Sequence, residues 1–426
     1  MDTYYYDEAI DTSSSSSIKF DFRTFLVTVG LVAVGLISIY SATYESGASA
    51  IFTSQLVFAI AGVITMIAIA FLPERWVRLS VYPLYGMGML LLVAVLIIGT
   101  ARYGQKNWII IGPISIQPSE LAKFSTLMMA SLFVSREGRD LGNWRDLGIM
   151  IGIVLLPLPL IMLEPDAGSA TVYAAMLLGI ALWAGADLFL MFAIVAPAAV
   201  AIASLFGATQ MYIAMGAVLL CMLLFRRSVW VTALGFSLSL ILGFSTPIIY
   251  QHLPQHQRLR IDVLLDPTKD PRGAGYHVIQ SLLAVGSGGL QGKGFLKGTL
   301  TQLRYIPEQW TDFIYCVPTE EFGFLGGMLV IVLLCALVWF AVDTASHLRN
   351  KFESTICFGI ATIFLYHAAV NIGMAIGLVP VMGIPLPFLS KGGSSLLLNM
   401  SMVGLLLNFY RFRTDHRRTS SLELNR

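Results

Sequence analysis

Apolar stretches of about twenty residues recur along this chain from residue 24 to residue 410, with polar residues collected between them. A helix needs roughly 20 apolar residues to cross a bilayer, with a range of about 17–25. Candidate spans fall near 24–44, 52–72, 80–100, 118–135, 146–163, 168–184, 186–206, 209–225, 229–250, 322–342, 354–375 and 391–410, twelve in all. Only helices satisfy their own backbone in lipid without closing a barrel. The expected fold class is therefore an all-α polytopic membrane protein with about 12 transmembrane helices and one large polar loop, residues 251–311.

Composition agrees. Charged residues are only 12% of the 426 positions, against about 25% in soluble domains. A formal charge of +2 carried on scattered residues argues against a nucleic-acid partner. Cys221, Cys316, Cys335 and Cys357 form no CxxC pair, and inert buried thiols are expected. Residues 1–17 hold four acidic residues and no Lys or Arg, so they lack the basic start of a signal peptide. With the serine run at 13–17, residues 1–22 are expected to be a disordered cytoplasmic tail, followed by a transmembrane domain at 23–412 and a second tail at 413–426.

Orientation follows from Lys and Arg. With the N-terminus inside, inner segments carry Lys19, Arg23, Arg75, Arg78, Arg136, Arg139, Arg145, Arg226, Arg227, Arg349, Lys351 and five C-terminal arginines. The short outer loops and outer span ends carry Arg102, Lys106 and Lys391. Both termini are expected in the cytoplasm and the 251–311 loop outside. That loop has seven basic residues of its own, but long loops cross largely regardless of charge.

Ionisable residues within spans are costly and mark candidate functional positions. Glu120 and Lys123, three apart at the start of the fourth span, share a face and can pair. They read either as a buried structural ion pair or as the wall of a polar, lipid-facing substrate cavity. Glu164-Pro165-Asp166-Ala167-Gly168 breaks an apolar stretch; Asp166 can cap the next helix or lie beneath a substrate site. His367 and Asn371 in the penultimate span read as hydrogen-bonded packing. His252 and His256 have metal-like spacing, but Pro254 stands between them and no third ligand is evident.

Two patterns in the loop mislead. Residues 286–294, rich in glycine, invite a phosphate-loop reading, yet Ser287 stands where the first Gly belongs and Gly294 follows Lys293 in place of Ser or Thr. A flexible glycine turn carrying one cation is expected. Asp262, Asp266 and Asp270 recur every four residues, but Pro267 and Pro271 forbid a regular helix through them. Asp before Pro is common in turns, so spacing alone leaves structural and catalytic readings of each open.

Several segments together resemble the SEDS (shape, elongation, division, sporulation) membrane glycosyltransferases. They are Gln117-Pro118-Ser119-Glu120-Leu121-Ala122-Lys123, Glu164-Pro165-Asp166, Asp270-Pro271-Arg272-Gly273-Ala274-Gly275-Tyr276-His277 and the glycine run 286–294. Pro307-Glu308-Gln309-Trp310-Thr311-Asp312, Glu320-Glu321-Phe322-Gly323, Asn371-Ile372-Gly373-Met374 and residues 380–388 follow in family order. Residues 298–303 and 307–309 resemble the elongation branch more than the division branch. Three departures stand out: an apparent extra hairpin at 186–225 on a ten-span family pattern, Trp310 where such loops usually carry His, and Lys391 ahead of Gly392-Gly393-Ser394-Ser395.

The resemblance implies polymerisation of lipid II into glycan strands on the outer membrane face, with release of undecaprenyl diphosphate. It implies Asp270 as the catalytic aspartate, acting as general base or electrostatic stabiliser. Arg102, Lys106, Lys123, Lys293 and Lys391 are candidates to hold the diphosphate, with Glu120 and Asp166 lining the site. No cofactor is required; a divalent cation is allowed, though no ligand cluster demands one. A class B penicillin-binding protein transpeptidase and other elongation-complex proteins are the implied partners. The alternatives are a lipid II flippase or other transporter, and a non-catalytic scaffold.

Overall fold

The computed structural model describes residues 20–411, apart from 46, 103–104, 112–113, 226–228, 254 and 271–272. The tails expected at 1–22 and 413–426 fall outside the described residues except for 20–22.

Three long apolar helices open the fold: α1 (Phe22–Tyr44), α2 (Ser49–Ala70) and α3 (Glu74–Ile98). Asp21 caps α1, accepting from Arg23 N at 3.2 Å and Thr24 Oγ1 at 2.5 Å. A small antiparallel sheet follows, β1 (Thr100–Arg102), β2 (Gln105–Ile111) and β3 (Ile114–Ile116), in the order β1-β2-β3. It departs from the all-α expectation. Its isoleucines explain it: Ile109 is buried while Ile110 points out, the period-2 pattern of a strand, and Ile109 faces Ile116 across the ladder.

Next come α4 (Pro118–Val134), with Pro118 in its first turn, α5 (Trp144–Leu155) and α6 (Leu158–Leu163), separated at Pro157. Then α7 (Ala167–Trp183), α8 (Leu188–Leu205), α9 (Ala208–Leu224) and α10 (Val229–His252) follow. The large loop folds as α11 (Gln255–Leu265), a 3-10 turn (Pro267–Lys269), α12 (Ala274–Ser287), α13 (Thr299–Gln302) and α14 (Cys316–Glu321). The chain closes with α15 (Gly323–His347), α16 (Lys351–Ala375) and α17 (Gly393–Tyr410).

Counting α5–α6 as one, nine helices among the described residues are long and apolar enough to cross a membrane. They occupy nine of the twelve expected stretches. The other three are filled by α4, α7 and α9, each 17 residues, or roughly 25 Å at about 1.5 Å per residue, short of a hydrocarbon core of about 30 Å.

The core lies on α16, which packs against α15, α7 and α4, while α17 lies along α2. Of α16's apolar window 67% is buried inside the protein, against 17% for α10. A second, separate core of Phe189, Ala196, Val200, Met211, Met215, Val218 and Met222 joins α8 and α9 to each other and to α10.

The glycine run is a close-packed joint, not the loose turn expected. A Cβ on Gly288 or Gly292 would collide with the backbone carbonyls of Thr319 and Glu321, and Gly292 has φ 80°. The contact is sealed by Lys293 N to Glu320 O at 3.0 Å and Gly294 N to Glu321 O at 2.9 Å.

Candidate active site

The prolines divide the three aspartates as their chemistry requires. Asp262 lies inside α11 and accepts from the Tyr250 hydroxyl at the end of α10. Asp266 caps the 3-10 turn, accepting from Thr268 N at 3.0 Å and Oγ1 at 2.6 Å. These Thr268 hydrogen bonds hold the Asp266 carboxyl below the usual range. Asp270 follows the turn, at the entrance to α12.

Asp270's carboxylate lies over Gly273: a Cβ there would stand 2.8 Å from Oδ1 and closer still to Oδ2. A Cβ on Gly275 would be driven into the carbonyls of Pro267 and Asp270. Two glycines thus let the Asp270 turn close onto the amino-terminal turn of α12, the end of a helix where negative charge is favoured. One turn further, half-buried His277 faces Phe313, with ring centroids 6.0 Å apart. Burial lowers the His277 pKa, while the Glu308 and Asp270 carboxylates pull it upward; the net direction is down. Glu308 accepts from Thr311 Oγ1 at 3.1 Å and holds φ 52°, a conformation that costs a non-glycine residue energy and clusters at functional sites.

Residues 307–314 dock onto the loop between α16 and α17. Lys391 N donates to Trp310 O at 2.8 Å, and Ser390 Oγ donates to Thr311 O at 2.7 Å. Asn371 Nδ2 bonds Asp312 O at 2.9 Å and Ile384 O at 2.7 Å. Gln55 on α2 grips the same loop, donating to Ser390 O and accepting from Gly392 N.

The expected pair is present beneath this loop. Lys123 Nζ stands 2.8 Å from Glu120 Oε1 and 3.1 Å from His367 Nε2, all three buried. His367 Nδ1 faces Pro385 O at 3.1 Å. A carbonyl only accepts, so Nδ1 carries the proton and Nε2 accepts from the ammonium. Ser395 completes the surroundings of Glu120. Asp166 caps α7, accepting from Ser169 N at 2.9 Å and Ser169 Oγ at 2.7 Å, and reaches Gln117 Nε2 at 3.3 Å. Gly168 beside it lets α7 touch Met382 and Ile384. Lys123 thus reaches the 380–391 loop through His367, and Asp166 lies beside it through Gly168. Lys391 belongs to the loop itself, and Glu120 is tied to it only through Lys123.

Lys293 stands apart. Its Nζ lies 2.7 Å from Glu320 Oε1 and 2.7 Å from Thr299 Oγ1. Burial alone would raise the Glu320 carboxyl, but Lys293 and the backbone amides of Leu300 and Thr301 outweigh it and hold it low. This is a staple between α13, α14 and the glycine run. Arg102 and Lys106 sit on β1 and β2, and their side chains lie outside the described residues, as do Arg272 and the His256 side chain. Among the described residues no group of three or more His, Cys, Asp or Glu is arranged to hold a metal.

His277, Glu308 and Gln55 were not singled out as site residues in the sequence. The first two were visible inside recognised motifs, and a glutamine within an apolar helix is itself a signal.

A bundle of apolar helices with a polar, carboxylate-bearing loop docked on it defines a multi-pass membrane protein whose candidate chemistry lies at one end. The family model for FtsW, RodA and SpoVE, described as "Cell cycle protein", matches residues 19–213 and 206–415; the chain belongs to this family. Peptidoglycan glycosyltransferase RodA of Treponema pallidum is 32% identical, covering 91% of this chain and 97% of that protein. Stage V sporulation protein E of Bacillus subtilis is 34% identical over 92% of this chain and 97% of that one. Among solved structures, a chain of a peptidoglycan synthase complex described as coordinating polymerization and crosslinking superposes with TM-score 0.70 at 26% identity, covering 92% of this chain and 98% of that chain.

Proposed function

We propose that this chain is a peptidoglycan glycosyltransferase that polymerises lipid II on the outer face of the cytoplasmic membrane during cell elongation. The observation that carries the reading is Asp270, held by Gly273 and Gly275 at the start of α12 in a family whose named relatives carry this activity. Asp270 takes the proton of the acceptor GlcNAc 4-hydroxyl, or stays ionised and steadies developing positive charge while that proton passes to the departing diphosphate. The acceptor oxygen bonds to the donor MurNAc anomeric carbon, the bond from that carbon to the diphosphate oxygen breaks, and undecaprenyl diphosphate departs. Lys391, whose backbone docks on Trp310, is favoured as a cation for the leaving diphosphate; Lys123 and Lys293 are each engaged by a glutamate, Glu120 and Glu320.

The distribution of Lys and Arg supports cytoplasmic termini. The synthase-complex relative supports a class B penicillin-binding protein as partner. The broken α5–α6 helix and the buried Glu120–Lys123 pair also fit a flippase. Purified protein in detergent separates the readings, because polymerisation needs no second compartment. Lipid II should become glycan with the parent and not with Asp270→Asn. Polymer from Asp270→Asn at the parent rate removes Asp270 from the mechanism; none from the parent, with or without the partner, removes the polymerase reading.

A further inference from the structure

α16 runs from Asn371, beside the 380–391 loop, back to Lys351 at the other end of the bundle, where α1 begins and α17 ends. There a cavity of about 140 Å³ opens between the α4–α5 connection, the end of α7 and the α15–α16 connection. Three cations from two separate connections line it: Arg139, Arg349 and Lys351. Arg139 is held 2.6 Å from Asp146, which also accepts from Asp140 N; the Asp140 carboxylate turns to Gly142 N. Arg349 and Lys351 are exposed, and among the described residues no carboxylate lies within 4 Å of either charge. The lining thus keeps an excess of positive charge after Asp146 is counted.

The inner wall is already ordered. Trp183 stacks on Phe358 at 4.4 Å and donates its indole N–H to Ser354 Oγ at 2.8 Å. Ser354 Oγ donates to Ala345 O at 2.7 Å, and Thr355 Oγ1 to Lys351 O at 2.7 Å. The indole and both hydroxyls donate inward and make a rigid wall. Asn350 caps the first turn of α16, accepting from Phe352 N at 3.1 Å, and the positive potential of the cup comes from Arg139, Arg349 and Lys351. Its rim lies at headgroup depth: exposed Trp76 and Trp144, the latter under Arg145, stand at this end of the bundle, as aromatic side chains do at a membrane interface. Basic pockets between membrane helices bind anionic headgroups.

We infer that this cavity binds a phosphate group, delivered by an anionic phospholipid headgroup or as free phosphate. Nothing in the reaction at the opposite end requires it. The full chain, reconstituted in phosphatidylcholine nanodiscs with increasing phosphatidylglycerol, should retain phosphatidylglycerol selectively when extracted for native mass spectrometry. Arg349→Gln with Lys351→Gln should weaken that retention about tenfold or more, each surface cation contributing a several-fold factor. Lys297→Gln, an exposed cation in the large loop and away from this cavity, should leave it unchanged. Inorganic phosphate that displaces the lipid, or alone raises the melting midpoint of the parent but not of the double variant, shows that a free anion suffices; no phosphate response with selective lipid retention assigns the site to the headgroup. Should the double variant melt lower in pure phosphatidylcholine, Arg349→Gln alone carries the comparison. Equal retention of the two lipids by the parent, or binding of lipid and phosphate that ignores both substitutions, overturns the inference.

Discussion

The loop 380–391 and the α8–α9–α10 trio are both held by packed helices, yet by opposite means. Around the loop, buried polar atoms are tied by hydrogen bonds from Asn371, His367, Ser390 and Gln55, and an ion pair lies beneath them. The trio is held by methionines, valine and phenylalanine in a core of its own. Helices in lipid gain no hydrophobic driving force from touching one another. An apolar seam is therefore forgiving, whereas a buried polar cluster is costly unless fully satisfied. The polar end fixes geometry where the chemistry is proposed; the trio supplies bulk and carries α11, stapled to α10 through Tyr250 and Asp262.

Substitutions break this comparison in a graded way. Asp270→Asn should lower glycan formation from lipid II about 100-fold or more, the scale of a lost general base, with an unchanged melting midpoint. Lys123→Met leaves Glu120 charged and without its ammonium. Loss of one partner of a buried pair costs about 3–5 kcal/mol, so thermal unfolding in detergent should fall sharply, and Glu120→Gln in the same chain should restore part of the loss. No recovery would mean that His367, not Glu120, sets the requirement for Lys123.

Gly292→Ala comes next. The left-handed conformation and the collision with Glu321's carbonyl together should cost about 2 kcal/mol or more, read as a lower melting midpoint. His277 is subtler. Its folded-state pKa is lowered by burial, so the unfolded chain binds the proton more readily. The stability it contributes is whole above the unfolded value of about 6.5 and drains away as pH falls through the lower folded value. Melting midpoints across that window should slope downward with acid in the parent and less so in His277→Gln.

The spans were legible because lipid makes length and apolarity nearly sufficient, and the division of Asp262, Asp266 and Asp270 was legible because proline acts locally. The β1–β3 sheet was missed because so short an Ile-rich segment is lost between two apolar spans. Lys293's partner could not be foreseen, since Glu320 lies 27 residues away and is reached only by folding the glycine run onto α14. Likewise Glu120 and Lys123 could be paired from their spacing, but His367, from a distant helix, has no signal in sequence beyond being a histidine in an apolar run.

The smallest effect belongs to the trio. Met215 on α9 is buried against Gly243 of α10, where a Cβ would collide with its methyl group. Met215→Ala in a soluble core would cost about 2–5 kcal/mol through lost transfer energy and a cavity. In lipid the transfer part largely vanishes, because acyl chains are as apolar as the methionine, and the gap left is one that α8, α9 and α10 can close by sliding. The expected loss is about 1 kcal/mol with glycan synthesis unchanged, measured on one preparation by melting and by lipid II turnover. Gly243→Leu forces the seam apart and tests the same point from the other side. Should it cut turnover while Met215→Ala does not, the trio is more than bulk: the position of α10 would then be transmitted through Tyr250 to α11 and the Asp270 turn.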